Sequence, residues 1–224
     1  MNWKWKKDSV LRNYNENTPC KDIFRAVCDE IAEYYIPKGW KYAKSRPKLT
    51  YNDKSIKIEI TFWSSGSNMQ GDYVNLEIIP WIYSLDLKKD LKLNGIESNG
   101  CILGYPTIFF EKLETIPKGT KRVIDLQGEI HEFEEEHEET SVLRHHNNIN
   151  VYGIKETDLL KIIDFIDNKI VIWKDLLNGD YEKLKSKISP FLKSDFRELK
   201  NGDFAKFIQY KFPDNFTDFE KFEN

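Results

Sequence analysis

Residues 56–63 read Ile56-Lys57-Ile58-Glu59-Ile60-Thr61-Phe62-Trp63, and residues 73–83 read Tyr73-Val74-Asn75-Leu76-Glu77-Ile78-Ile79-Pro80-Trp81-Ile82-Tyr83. In the first run Ile56, Ile58, Ile60 and Phe62 alternate with Lys57, Glu59, Thr61 and Trp63, a period of two that lines one face of a strand with apolar groups. In the second, Val74, Leu76, Ile78 and Ile82 share one face, and Tyr73, Asn75, Glu77 and Tyr83 share the other. The connector Ser64-Ser65-Gly66-Ser67-Asn68-Met69-Gln70-Gly71 has the chemistry of a polar turn. The pair therefore predicts two antiparallel strands with one solvated face. Pro80 has no N–H for a ladder, which predicts an edge position or a bulge there.

Helices are expected on either side of this pair. Thr18 is a candidate cap, Pro19 suits a first turn, and Asp22 complements the helix dipole. Ile23, Val27, Ile31 and Tyr34 then form one apolar stripe, which Pro37 and Gly39 end. Trp40–Ala43 and Leu49–Tyr51 are short strand candidates. The clearest helix covers Thr157–Leu177, where Leu159, Leu160, Ile163, Ile166, Ile170, Trp173 and Leu177 recur at helical spacing before Gly179. Tyr181–Ile188 and Phe204–Tyr210 read as further helices, and Phe216, Phe219 and Phe222 mark a tail that docks or frays. In the middle, Leu85, Leu87, Leu91 and Leu93 fit a helix or a strand equally. Residues 101–103, 107–110 and 123–126 are short strand candidates. The expected fold is α+β: a mainly antiparallel sheet with an N-terminal helix and C-terminal helices packed on it. It is read as a single domain over 1–224, with a C-terminal helical extension over 155–224.

A chain of 224 residues buries roughly 70% of its unfolded surface, enough for a core without covalent staples. The net charge of -3 is unevenly spread: Glu129–Glu139 holds seven Glu and no Lys or Arg, and without them 34 basic residues face 30 acidic ones. Acidity is thus local, and a basic nucleic-acid footprint is not evident. Trp3-Lys4-Trp5-Lys6-Lys7 has the ingredients of single-strand binding, but so short a stretch is expected to be an arm that packs its tryptophans. Cys20 and Cys28, eight residues apart on one helix, lie about 12 Å from each other, too far for a disulfide. An odd cysteine count without a framework suits a reducing compartment. The basic start is followed by polar residues rather than an apolar stretch, and no uncharged run reaches membrane-spanning length, so a cytoplasmic protein without a membrane span is expected.

All four histidines lie between His131 and His146. His131, His137, His145 and His146 are candidate metal ligands, since imidazole and carboxylate are the usual donors for zinc and related ions. Their spacing does not match H-E-x-x-H, and the simpler expectation is a solvated, charged hairpin. No nucleophile elbow, phosphate loop or dinucleotide fingerprint is present. Trp63, Trp81 and Tyr83 would form an exposed aromatic patch if they faced outward; helices covering that face, the usual α+β arrangement, would make them core.

The succession of a helix, Gly39-Trp40, a polar spacer, Ile56-Lys57-Ile58-Glu59-Ile60, Ser64-Ser65 and Tyr73-Val74-Asn75-Leu76 resembles a family of small bacterial proteins, some encoded beside toxins and similar to immunity proteins of polymorphic-toxin systems. The resemblance covers the first 85 residues; the middle and the C-terminal helices extend beyond it. It implies no cofactor and no catalytic residues. The expected function is a non-enzymatic, cytoplasmic protein-interaction domain, an immunity-type inhibitor of a bacterial toxin. Its partner is then a basic toxin domain, and Glu132, Glu134, Glu135, Glu136, Glu138 and Glu139 are the candidate contacts, because a concentrated negative field speeds encounter with a basic surface. Two alternatives stand beside it: a metal-dependent hydrolase using the histidines, and a small-ligand binding domain, which requires a pocket.

Overall fold

A computed structural model of the chain describes residues 3–114, 119–134, 141–192, 199 and 202–221. The fold is α+β, with an N-terminal helix, C-terminal helices and mainly antiparallel sheets. The strands are β1 (Lys41–Ala43), β2 (Lys48–Asn52), β3 (Ile56–Trp63), β4 (Asn75–Ser84), β5 (Cys101–Gly104), β6 (Phe110–Glu114), β7 (Thr120–Ile124), β8 (Ile130–Glu134), β9 (Ser141–His145) and β10 (Asn148–Asn150). The helices are α1 (Cys20–Tyr35), α2 (Leu85–Leu93), α3 (Glu156–Ile166), α4 (Ile172–Asn178), α5 (Tyr181–Leu192), α6 (Asp203–Lys211) and α7 (Phe216–Glu220). A six-stranded sheet has the order β1-β2-β3-β4-β10, with β5 also paired to β4, and a four-stranded sheet has the order β6-β9-β7-β8.

The expected alternation of β3 is realised: Ile56, Ile58, Ile60 and Phe62 are all buried. On β4, Pro80 falls where the strand changes neighbours. Asn75–Glu77 pair with β10, and Trp81–Tyr83 pair with β5, with a register shift between Ile82 and Tyr83. A residue without an N–H is tolerated between two ladders because neither requires its donor. Gly104 of β5 faces Trp81, and a Cβ there would collide with the indole ring.

The chain divides into two compact units. The first comprises Met1–Tyr51, Glu59–Pro80 and Asn147–Asn168. Its core holds Ile23, Val27 and Ile31 of the expected α1 stripe together with Tyr35, the expected Tyr34 being only half-buried, and α3 packs against α1. Asp167 ties α1 to the end of α3, accepting hydrogen bonds from the hydroxyls of Tyr34 at 3.0 Å and Tyr35 at 2.9 Å. Thr18 does not cap α1: its hydroxyl accepts from the Asn15 backbone instead, and Pro19 occupies the cap position with no side-chain bond. The N-terminal arm docks as expected. Glu30, buried on α1, accepts from the Trp3 indole at 3.1 Å and the Lys6 backbone at 3.0 Å.

The second unit comprises Asn52–Ile58, Trp81–His146 and Lys169–Asn224. There Leu85–Leu93 is a helix, capped by the Ser84 hydroxyl. The sequence 107–110 divides into a 3-10 turn at Thr107–Phe109 and the start of β6. The helix expected over Thr157–Leu177 forms as α3 and α4 joined by a π-helical turn at Asp167–Val171, an extra residue that periodicity alone does not register. α5 packs on β6, and α6 packs on β5 and α2. Among the described residues no helix is long and apolar enough to cross a membrane.

Candidate functional site

The Glu-rich segment is part of a hairpin built by β7 and β8. Asp125 shapes its turn: one carboxylate oxygen accepts from the backbone N–H of Gln127 at 2.8 Å and of Glu129 at 3.0 Å. The other oxygen lies 2.7 Å from His131 Nε2. Partial burial pushes the Asp125 pKa up, but the bonds from His131 and the two backbone groups outweigh it and hold the carboxyl below its ordinary value. The turn fixes the register from Ile124 opposite Ile130 to Thr120 opposite Glu134.

Every residue of β8 is exposed. Ile130 and Phe133 expose 55% and 48% of their surface, a large apolar presentation for one short strand. Ile130, Glu132 and Glu134 alternate with His131 and Phe133, so each face carries an apolar group beside polar ones. Arg122 of β7 donates to Glu132 at 2.6 Å. Among the described residues β8 has β7 as its sole neighbour, and its other side is an open edge. Such an edge offers unpaired N–H and C=O groups to an incoming strand. Of the expected partner contacts, Glu132 and Glu134 thus stand exposed on an edge strand; Glu135, Glu136, Glu138 and Glu139 lie outside the described residues, as does His137.

The remaining histidines go separate ways. His145, on β9, places Nε2 3.0 Å from Glu111 Oε2, and Lys169 Nζ is 2.8 Å from the same oxygen. The His145 hydrogen bond chiefly, then Lys169, against the opposing effect of burial, holds the Glu111 carboxyl down at about 2. His146 donates its backbone N–H to Ile124 O at 2.7 Å, and burial, then Arg144 and Lys121, push its imidazole pKa down. His131 and His145 are therefore each engaged by a different carboxylate. Among the described residues no group of three or more His, Cys, Asp or Glu side chains is arranged to hold a metal ion.

The Glu111–His145–Lys169 cluster has no signature in the sequence, because its members come from residues 34 and 58 positions apart. Burial also pushes Lys187 down, with Glu111 opposing that shift. The cluster joins β6, β9 and the π-helical turn of the second unit. Its geometry is that of a charge-compensated structural link, with the carboxylate shared between two bases.

The aromatic residues of the central strands depart from expectation. Trp63 is half exposed and Trp81 is exposed as well, while Tyr83 lies beneath Lys57, whose Nζ is 4.0 Å from the ring centroid. Among the described residues no helix turns the two tryptophans into core. No protein family, curated protein or solved structure matches the chain in sequence or fold comparisons.

Proposed function

We propose that this chain is a non-enzymatic protein-interaction protein that presents the β8 edge to a basic partner, and that the partner is a toxin domain held in an immunity-type complex. The observation that carries the reading is β8 itself: five consecutive exposed residues on an open edge, with Ile130 and Phe133 set among glutamates. An incoming strand pairs with the edge through main-chain hydrogen bonds, and side-chain pockets on the partner supply specificity. Phe133 and Ile130 are the anchors, since desolvated apolar and aromatic groups carry most interface energy. Glu132, Glu134 and the glutamates that follow them steer the approach of a basic surface. Cytoplasmic residence and the resemblance of the first 85 residues to immunity proteins belong to the same reading.

The test takes as partner the product of the neighbouring gene, which on this reading is a basic toxin domain. With Glu134, Glu135 and Glu136 all changed to Gln, the association rate at low salt is expected to fall about tenfold and to lose much of its salt dependence. If rate and salt dependence are both unchanged, the acidic segment is not the contact.

A further inference from the structure

A second surface, in the first unit, has the opposite charge. A cleft of about 630 Å³ opens between the first turns of α1, the loop 45–47 and the end of β3. Lys21, Arg25 and Arg46 line it, and among the described residues no carboxylate does. None of these three cations forms an ion pair with a described residue. Asp29, one turn along α1 from Arg25, spends one oxygen on the Tyr42 hydroxyl at 2.9 Å and the other on Lys44 at 2.6 Å. Three like charges facing one space repel, and a bound anion would relieve that repulsion.

The rest of the wall combines apolar and polar residues. The half-exposed Trp63 offers ring surface, while Phe24 is nearly buried. Ser64 and Asn68 offer hydrogen-bonding groups, and both are fixed in place. Asn68 Nδ2 donates to Ser64 Oγ at 2.8 Å, and Asn68 Oδ1 accepts from the Asn75 backbone at 2.8 Å. The Phe62 backbone N–H donates to Pro47 O at 2.9 Å, which anchors the arginine-bearing loop to β3. The polar part of the wall and the loop backbone are therefore held in place without a ligand, and the cleft's volume lies within the range of small-molecule clefts.

We propose that this cleft binds a small ligand made of a flat aromatic ring and a phosphate, the chemistry of a nucleoside monophosphate. Arg25 and Arg46 present planar forks suited to bidentate contact with phosphate oxygens, with Lys21 adding a point charge. Trp63 stacks on the ring, an interaction that tolerates any base because every base has a π-face. This goes beyond the partner-binding reading and rests on none of its residues.

The experiment is isothermal titration of the full chain with AMP, with adenosine and inorganic phosphate as separate arms. AMP is expected to bind saturably with a dissociation constant on the order of 100 μM, and adenosine and phosphate at least about tenfold more weakly. R46Q changes an exposed loop residue and should fold normally while losing about tenfold in AMP affinity; W63A should lose a similar factor for AMP and adenosine and leave phosphate unchanged. Phosphate binding as tightly as AMP, or R46Q and W63A both binding AMP like the parent, overturns the proposal. So does the absence of saturable heat with AMP at millimolar concentration. Partner binding at β8 is read by association rate with a protein, so the two readings fail separately.

Discussion

β3 and β8 are both strands in which apolar and charged residues mix, and they meet opposite fates. β3 lies inside the six-stranded sheet and buries Ile56, Ile58, Ile60 and Phe62 completely. β8 borders the four-stranded sheet, pairs on one side only, and leaves Ile130 and Phe133 in water. The difference teaches that alternation specifies a strand, while burial is decided by what the rest of the chain lays against it. Where none of the described residues covers an apolar strand, a partner is a natural cover.

The contrast breaks most readily in the core. Ile60→Ala removes a fully buried side chain and should cost about 3 kcal/mol in chemical denaturation, whereas Ile130→Ala on β8 should stay within about 0.5 kcal/mol. Equal losses at the two positions would mean that β8 is covered in the folded chain. Next in size is Asp167→Ala, which takes the acceptor from the Tyr34 hydroxyl and leaves the Tyr35 hydroxyl only the Ile163 carbonyl at 3.3 Å. A loss of about 2 kcal/mol is expected, as for other hydrogen bonds to a charged group.

Smaller and dependent on pH is the ion cluster of the second sheet. Folding holds the Glu111 carboxyl at about 2, below its ordinary 4.5. A depressed carboxyl favours the folded state when ionised, so its contribution is complete above pH 4.5 and is lost as pH falls towards 2. With 36% of the side chain exposed, solvent screening reduces that contribution to the order of 1 kcal/mol. Parent and Glu111→Gln should therefore differ by that amount at pH 6 and converge on acidification; a gap that persists at the acid end would assign the effect to packing. Smallest in stability is Phe133→Ala, within about 0.5 kcal/mol on an exposed site, although it should slow or abolish partner binding.

Legibility followed the same divide. The residues of β3 and β4 and the α1 stripe were readable because their periodicity reports a large buried face, and local pattern and local structure agree there. Pro80 was readable as an interruption, but only pairing reveals that it marks a change of neighbour. The π-helical turn at Asp167–Val171 escaped because the apolar positions on either side still fit a helical period. Glu30 gave no sign of burial, since its partners are a terminal indole and a backbone N–H far along the chain. The histidines look clustered in sequence, yet β8 and β9 flank β7 on opposite sides, and a shared neighbourhood in sequence became two separate carboxylate pairs. The basic cleft was invisible for the converse reason: Lys21, Arg25, Arg46 and Trp63 acquire a common purpose only once α1 and β3 are placed.

The most direct test of β8 as the docking edge is amide hydrogen exchange on the chain alone and with the proposed partner, the product of the neighbouring gene. The account predicts that protection rises at residues 130–134 on complex formation, while residues 56–62, inside the six-stranded sheet, stay unchanged. A complex that forms with exchange at 130–134 unaltered would contradict it.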